Sequence, residues 1–239
     1  MRILVIIPAF NEQEALPGTL NELREVRPDL DVVVVSDGST DRTSEVARAA
    51  GVTVLDLPYN LGVGGALRTG FMYAVREDYD AVLQFDADGQ HDPGHIKTLT
   101  QALDDGADLV IGTRFGDASD DYDVGRVRRV AMRSLQGIVR RLTGKVYTDT
   151  SSGFRVFSKR AVLFFSRNYP TEYLETVESL ILATLEGFDV IEVAVDMRQR
   201  AGGVPSARGL KLGYHYVRLL LVLSSGARRT RPSVRIEES

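Results

Sequence analysis

The stretch "ILVIIPAFNEQEALPGTLNELREVRPDLDVVVVSD", residues 3–37, determines the fold class. It opens with the apolar run "ILVIIP" (3–8), continues through the amphipathic "NEQEALPGTLNELREV" (11–26) and ends with "DVVVVS" (31–36). Short β-branched runs predict buried strands, and the longer amphipathic segment predicts a helix. A strand, a helix and a strand in this order form a right-handed βαβ unit with parallel strands.

The same alternation continues along the first half of the chain. Further strands are predicted at "VTVLDL" (52–57), "AVLQF" (81–85) and "DLVIGT" (108–113), with helices over 39–50, 64–77 and 93–106. Ser39 or Thr40 and Asp92 are the predicted N-caps of the first and last of these helices. The later chain predicts a basic helix around 126–143, a helix around 174–187 and a strand at 189–195. The pattern indicates an α/β fold, whose ligand crevice lies outside the carboxyl ends of the strands.

Composition limits the functional classes. The chain has 239 residues, 44% of them hydrophobic and 26% charged, as expected for one large globular domain. Its net charge of -4 argues against nonspecific nucleic-acid binding. Without cysteine there can be neither disulfides nor thiolate metal ligands. No signal-peptide pattern precedes the first strand, and "LLLVL" (219–223) is too short to span a membrane, so we expect a cytoplasmic protein.

Three predicted strands end in polar residues, and all three ends should open on one edge of the sheet. Asn11 and Glu12 follow the first strand, "SDGSTD" (36–41) the second, and "DADGQHD" (86–92) the fourth. If the chain stays extended through Ala87, Asp86 and Asp88 project to one side and can share a hard cation, Mg²⁺ or Mn²⁺. A polar turn that caps the next helix explains the rest of the segment, but not two adjacent carboxylates without a counter-charge.

Other chemistries fit less well. "FDADG" (85–89) also resembles the nucleophile motif of haloacid-dehalogenase-type phosphatases, although Gln90 stands where that family has Thr or Val. In "NLGVGGALRTG" (60–70), Leu67 occupies a position where dinucleotide binding requires glycine, so its glycines favour a close backbone approach or a tight helix start. His91 and His95 lack a third zinc ligand, which favours a polar loop and cap.

Single charged residues leave alternatives open. Asp37 fits an ordinary turn, or a carboxylate that accepts hydrogen bonds from a base or a ribose. The planar guanidinium group of arginine can donate two parallel hydrogen bonds to the oxygens of a phosphate, and several arginines adjoin polar turns. These candidates are Arg114, Arg126, Arg128, Arg155 and Arg200.

Seven segments in series resemble the family 2 glycosyltransferases of the GT-A fold. They are "IIPAFNE", "VVSDGSTD", "NLGVGGALRTG", "QFDADGQHDP", "IGTRF", "DTSSGFRVF" and "RQRAGGVPS", and they cover roughly residues 1–206. The similarity is greatest to dolichol-phosphate mannosyltransferase and to bacterial polyprenyl-phosphate sugar transferases. It implies an α/β GT-A (nucleotide-diphospho-sugar transferase) fold, with a Rossmann-like, mostly parallel central sheet flanked by helices. It also implies a catalytic domain over 1–206, followed by a C-terminal amphipathic helix and basic tail over 207–239.

The resemblance also implies the site residues. The nucleotide sugar would contact Pro8, Ala9, Asn11, Glu12, Asp37, Gly64, Arg68, Asp86, Ala87 and Asp88. The metal, Mg²⁺ or Mn²⁺, would be bound by Asp86, Asp88 and Gln90. The acceptor phosphate would meet Arg114, Arg126, Arg128, Ser152 and Arg155. The catalytic set would be Asp88, Arg114, Arg155 and Arg200, with Arg200 neutralising the donor diphosphate. The family often continues "GxSK" where this chain has Ala207 and Arg208, so the replacement for that lysine is open.

The implied reaction is inverting, metal-dependent transfer of a hexose from a UDP- or GDP-sugar to a polyprenyl phosphate. A phosphate acceptor needs no strong base, whereas a hydroxyl acceptor would need one, with Asp149, Glu175 or Glu178 as candidates. The alternatives are a soluble GT-A transferase acting on a small-molecule or glycan hydroxyl, a phosphatase, and a non-catalytic nucleotide-sugar binding protein. The last helix either packs on the domain or makes peripheral contact with the cytoplasmic membrane face.

Overall fold

The computed structural model describes residues 1–114, 126–171 and 174–198, except for the side chains of 126–134. The described residues form seven strands: β1 (Ile3–Ala9), β2 (Asp31–Asp37), β3 (Thr53–Leu57), β4 (Ala81–Gln84), β5 (Leu109–Thr113), β6 (Arg155–Ser158) and β7 (Val190–Ala194). Seven α-helices accompany them: α1 (Leu16–Val26), α2 (Thr43–Ala49), α3 (Val63–Arg76), α4 (Ile96–Asp104), α5 (Arg126–Thr143), α6 (Lys159–Asn168) and α7 (Glu175–Leu185). A short 3-10 turn, Pro93–His95, precedes α4.

The strands form one sheet in the order β3-β2-β1-β4-β6-β5-β7. β3, β2, β1 and β4 pair in parallel, as do β5 and β7. β6 runs antiparallel between β4 and β5. The predicted mostly parallel sheet is confirmed, whereas β6 and α6 were not predicted, because "RVFS" is short and directly adjoins the helix.

Apolar residues cover both faces of the sheet, in which β1 lies next to the central strand β4. On one face Val5 and Ile7 join Leu16 and Leu20 of α1 in a fully buried cluster. On the other, α3 packs so closely that a Cβ on Gly70 would lie 2.6 Å from the Ile6 side chain. Glycine is therefore needed at this crossing, because the interior is already packed to high density.

Two predicted N-caps have different outcomes. Asp92 accepts a hydrogen bond from the Gly94 backbone N–H at 2.8 Å, so this cap is confirmed. Ser39 and Thr40 do not cap α2, which begins at Thr43. Both residues instead contact the loop after β1, while Asp41 accepts the Thr43 backbone N–H at 2.9 Å.

The predicted domain boundary lies outside the described residues. The described residues all belong to one compact unit, Met1–Gly203. The division at 206 and the amphipathic helix over 207–239 therefore remain predictions. None of the helices described is both long enough and apolar enough to cross a membrane.

Candidate active site

The loops that follow β1, β2 and β4 meet at one edge of the sheet, as predicted. Asn11 Oδ1 accepts the Thr40 backbone N–H at 2.8 Å, which ties the first loop to the second. The Thr19 hydroxyl of α1 donates to the Ala87 carbonyl at 2.9 Å, which ties the helix after β1 to the loop after β4. The three polar strand ends thus surround a common region.

The predicted metal-binding carboxylates lie on a turn rather than on an extended strand. β4 ends at Gln84, and the chain turns at Ala87 and Asp88. Asp88 is 6% exposed, and its Oδ1 accepts the Gln90 backbone N–H at 3.0 Å. The expectation that the chain stays extended through Ala87 is wrong, because this side-chain hydrogen bond closes a turn two residues long.

His91 is buried beneath this loop and packs between the loop and Phe154. Its ring stacks on Phe154 with centroids 4.7 Å apart, and its Nδ1 accepts the Asp86 backbone N–H at 3.1 Å. Its Nε2 lies 3.4 Å from Asp86 Oδ2. Burial lowers the pKa of His91, although the charges of Asp86 and Asp88 oppose that effect. His91 therefore positions the Asp86 backbone through its Nδ1 and lies beside the Asp86 carboxylate. His91 and His95 form no zinc site within the described residues.

Gly153 makes room for the Asp86 carboxylate. A Cβ on this glycine would lie 2.9 Å from Asp86 Oδ2 and 3.1 Å from Gln84 Nε2. Gln84 Oε1 is buried and has no hydrogen-bond partner in the part of the chain that the structure describes. Gly153 stands within "SSGF" (151–154), but a glycine beside serines is so common in turns that this pattern predicted no role for it.

The oxygen donors of Asp86 and Asp88 fit a hard cation. No cluster of three or more His, Cys, Asp or Glu side chains suited to a metal occurs among the described residues. Mg²⁺ and Mn²⁺ commonly take one or two protein carboxylates and complete their coordination with phosphates and water. The Gln90 side chain points to another contact, since its amide donates to the Arg198 carbonyl at 3.4 Å, so its role as a metal ligand remains a prediction.

Among the residues predicted to contact the nucleotide, Asp37 ends β2 and is 3% exposed. Its Oδ1 accepts the Leu61 backbone N–H at 2.7 Å. Burial raises the pKa of Asp37, while the N–H groups of Leu61 and Gly62 act in the opposite direction. Pro8 and Ala9 end β1 at the same edge, half-buried and buried respectively.

The glycine at position 64 is explained by packing within the protein. A Cβ there would lie 2.1 Å from the Pro170 carbonyl oxygen, so the start of α3 rests against this backbone. This packing fits the predicted tight helix start, and a contact between Gly64 and the nucleotide sugar stays a prediction. Arg68, one turn further along α3, is half-buried, and no hydrogen bond or ion pair joins it to another described residue.

Among the residues predicted to contact the acceptor phosphate, Arg114 follows β5 and forms a two-point ion pair with Asp149. Arg114 Nε lies 2.9 Å from Asp149 Oδ2, and one terminal nitrogen lies 3.2 Å from Oδ1. Burial alone would raise the pKa of Asp149, but the hydrogen bond and charge of Arg114, with the bonds from Ser151, hold it below its ordinary value. Asp149 therefore stays ionised and orients Arg114, so it is a poor candidate for a general base.

Glu192 of β7 holds the turn that carries Asp149. Its carboxylate accepts the backbone N–H groups of Thr148 and Asp149, each at 2.8 Å. The Thr148 hydroxyl also lies 2.9 Å from that of Thr113. Sequence reasoning missed Glu192, because a single glutamate in an edge strand is usually a solvent-facing residue.

Arg155 lies deeper than predicted. It is completely buried, and its guanidinium donates to the carbonyls of Ser152 and Thr176, each at 2.8 Å, and to the Ser179 hydroxyl at 2.9 Å. Ser152 is also buried, and its hydroxyl accepts the Phe154 backbone N–H at 3.2 Å. The expectation that these two side chains contact an acceptor phosphate does not fit their placement, since their polar groups bind the protein instead.

The remaining predicted residues are only partly covered. Arg126 and Arg128 lie in the first turn of α5, and their side chains lie outside the described part of the structure. Arg200 lies outside the described residues, so its role stays a prediction. Among the candidate bases, Glu175 is 7% exposed, and burial raises its pKa to about 7.

Comparison with known proteins identifies the family and supports the fold. The profile of the family described as Glycosyl transferase family 2 matches residues 4–164. The polyprenol monophosphomannose synthase of Mycolicibacterium smegmatis is 30% identical over 87% of this chain and 82% of that protein. The UDP-N-acetylglucosamine–dolichyl-phosphate N-acetylglucosaminyltransferase of Methanococcus voltae is 28% identical over 94% of this chain and 96% of the relative.

A solved structure shares the fold. Glucosyl-3-phosphoglycerate synthase from Mycobacterium tuberculosis, in complex with Mn²⁺, UDP and phosphoglyceric acid, superposes with a TM-score of 0.70. The match covers 98% of this chain and 81% of that one, with 22% sequence identity. The predicted GT-A fold is thus confirmed. The family assignment leaves no support for the phosphatase alternative, and the chain belongs to glycosyl transferase family 2.

Proposed function

We propose that this glycosyltransferase moves a hexose from a UDP- or GDP-sugar to a polyprenyl phosphate, with inversion and with the help of Mg²⁺ or Mn²⁺. The observation that carries the proposal is the placement of Asp86 and Arg114 at one sheet edge. Asp86 follows β4 and Arg114 follows β5, and only β6 separates these strands. Two strand spacings amount to about 10 Å, which suits a donor diphosphate beside an acceptor phosphate.

The names of the relatives support the acceptor class. One is named for polyprenol monophosphomannose and the other for dolichyl phosphate, so both act on phosphorylated polyprenyl lipids. They transfer different sugars, mannose and N-acetylglucosamine, so the hexose remains open. If the lipid is the acceptor, the C-terminal segment over 207–239 is the candidate for peripheral membrane contact.

The charges at the site also favour a phosphate acceptor. Asp86 and Asp88, with Gln90 as a further candidate, would hold a cation that stabilises the departing nucleoside diphosphate. Arg114 would attract and orient the acceptor phosphate, and Asp149 keeps its guanidinium in place. A phosphate monoester is already ionised near neutral pH and can attack without a base, which agrees with the pairing of Asp149 to Arg114.

A hydroxyl acceptor is the second candidate. It is favoured by Glu175, whose pKa of about 7 would suit a general base near neutral pH. Against it stands the burial of this side chain, which is 7% exposed. The product distinguishes the two candidates, since sugar should appear on polyprenyl phosphate in the first case and on an alcohol in the second.

Calorimetric titration tests the donor and the metal. UDP, GDP and their sugars are titrated with Mn²⁺ or with EDTA into the wild type and into Asp88→Ala. We expect one nucleotide to bind only with Mn²⁺, and Asp88→Ala to weaken that binding at least about tenfold. If the folded wild type binds neither nucleotide, or binds one equally well in EDTA, the proposal is wrong.

A further inference from the structure

Arg198 connects two elements that border the candidate metal loop, residues 86–92. One terminal guanidinium nitrogen lies 2.6 Å from Glu22 Oε1 on α1, and the other lies 2.8 Å from Asp92 Oδ2. Asp92 in turn caps the turn before α4 by accepting the Gly94 backbone N–H. A single side chain thus fastens the end of the metal loop to the helix that follows β1.

The backbone around Arg198 strengthens this connection. The Arg198 N–H donates to the Gln90 carbonyl at 2.9 Å, and the Gln90 amide donates to the Arg198 carbonyl at 3.4 Å. Met197 forms an antiparallel bridge with His91. The Asp196 N–H donates to His95 Nε2 at 3.1 Å. Residues 196–198 therefore run along residues 90–95 and hold them at several points.

Arg198 contacts Gln90, and Gln90 and its neighbour His91 are each hydrogen-bonded to one of the two candidate metal-binding aspartates. Gln90 donates its backbone N–H to Asp88, and His91 accepts the backbone N–H of Asp86. Any displacement of residues 90–92 would therefore move both carboxylates. The loop is also tied to α1 by the Thr19 hydroxyl, so two attachments fix it against the same helix.

We propose that Arg198 is a positioning residue for the metal and the nucleotide diphosphate. This inference rests on the proposed function, because the ligands that the loop would bind are themselves proposed. Arg198 holds the loop in the geometry that binds the cation before the ligand arrives, which lowers the ordering needed on binding. Groups that orient metal ligands from outside the coordination shell typically change metal affinity 10- to 100-fold when they are removed.

The ion pairs of Arg198 are partly exposed to water, which indicates that Arg198 positions the loop rather than stabilising the fold. The Arg198 side chain is 45% exposed, and those of Glu22 and Asp92 are 34% and 30% exposed. Pairs that remain in contact with water contribute little to the free energy of unfolding. Loss of Arg198 should therefore reduce ligand affinity far more than thermal stability.

The test is calorimetric titration of UDP and GDP, with Mn²⁺ and with EDTA, into the wild type and four variants. Arg198→Ala removes both ion pairs. Arg198→Lys keeps the charge but removes the two guanidinium nitrogens that reach two carboxylates at once. Glu22→Gln removes the negative charge of one of the two ion pairs. Lys159→Ala is the matched control, since Lys159 also pairs with two carboxylates, Asp78 and Asp80, and is 49% exposed. Its partners precede β4, at the sheet edge opposite the site. Melting temperatures are recorded for each protein.

We expect Arg198→Ala to weaken Mn²⁺-dependent nucleotide binding about tenfold, with smaller losses for Arg198→Lys and Glu22→Gln. Lys159→Ala should bind as the wild type does, and the melting temperatures should differ little. Binding by Arg198→Ala within about twofold of the wild type, or an equal loss in Lys159→Ala, would overturn the inference alone. Absence of metal-dependent binding in the wild type would overturn the proposed function, and the inference with it.

Discussion

Glu175 is a buried carboxyl whose charge is costly to the folded state. It begins α7, it is 7% exposed, and burial raises its pKa from 4.5 to about 7, although the charge of Arg155 opposes the shift. Between these two values the folded protein holds a proton that the unfolded chain has released. The contribution of Glu175 to the free energy of unfolding therefore falls as the pH rises from about 4.5 to about 7.

Glu175→Gln should remove this pH dependence. The full shift corresponds to about 3 kcal/mol, so the variant should gain stability relative to the wild type between about pH 5 and about pH 8. Denaturant titrations of both proteins at these two pH values measure the difference. Glu186→Gln, an exposed residue just after the same helix, is the matched control. Equal pH dependence in the wild type and Glu175→Gln would show that Glu175 is ionised throughout this range.

Gly153 provides a second prediction about a single residue. A methyl group there would lie within 2.9–3.1 Å of both Asp86 oxygens and of Gln84 Nε2, so Gly153→Ala must displace the carboxylate. We expect Mn²⁺-dependent nucleotide binding to weaken at least about tenfold, measured by calorimetry. Gly18→Ala is the control, since nothing lies within 4 Å of the added Cβ in α1. An affinity unchanged by Gly153→Ala would mean that Asp86 does not bind the metal.

The sequence was enough to locate the candidate site, but not to assign a role to each of its residues. Asp86, Asp88 and Arg114 could be selected because charges at strand ends are unusual. Arg155 could not be assigned correctly, since its burial depends on carbonyl groups of Ser152 and Thr176, which approach it only in the folded chain. An arginine next to a polar turn looks the same in sequence whether it faces a ligand or the protein interior.

At the scale of elements, strands of the βαβ units were predicted to within one or two residues. β1, β2 and β5 are long enough for their β-branched runs to stand out. β6 has only four residues and runs straight into α6, so neither the length nor a turn signal marked it. The antiparallel strand nevertheless determines the site, because it separates Asp86 from Arg114.

The turn over 148–151 is held by side chains from several parts of the fold, and Glu192 of β7 is one of them. Its two carboxylate oxygens accept backbone N–H groups of Thr148 and Asp149 and the Thr148 hydroxyl. Glu192→Gln replaces one accepting oxygen with a donor, so at least one of these bonds is lost. The Asp149 carboxylate, and Arg114 with it, should then be held less firmly.

We expect Glu192→Gln to raise the KM for polyprenyl phosphate about tenfold and to leave the calorimetric affinity for the donor nucleotide unchanged. Arg160→Ala is the control, since Arg160 pairs with Asp108 at the opposite sheet edge. Steady-state kinetics with both substrates varied separates the two effects. A weaker affinity for the nucleotide, with no change in the KM for the lipid, would contradict the assigned role of the turn.

At the scale of the whole molecule, one sheet edge gathers both halves of the candidate site. β1, β2 and β4 contribute the loops assigned to the nucleotide and the metal, while β5, β6 and β7 contribute the turn and the arginine assigned to the acceptor. The parallel arrangement and the common edge followed from the sequence pattern. The links between the halves depend on long-range contacts, such as those of Glu192 and Arg198, which no local pattern encodes.

Sugar transfer to competing acceptors tests most directly whether the enzyme glycosylates a polyprenyl phosphate. Labelled UDP- and GDP-sugars are supplied with Mn²⁺ to the wild type, together with equal amounts of a short-chain polyprenyl phosphate and the matching polyprenol. We expect one donor to label only the phosphorylated lipid, EDTA to abolish the transfer, and the product to have the inverted anomeric configuration. Labelling of the polyprenol, or of neither lipid by protein that binds its nucleotide, would contradict the proposed function.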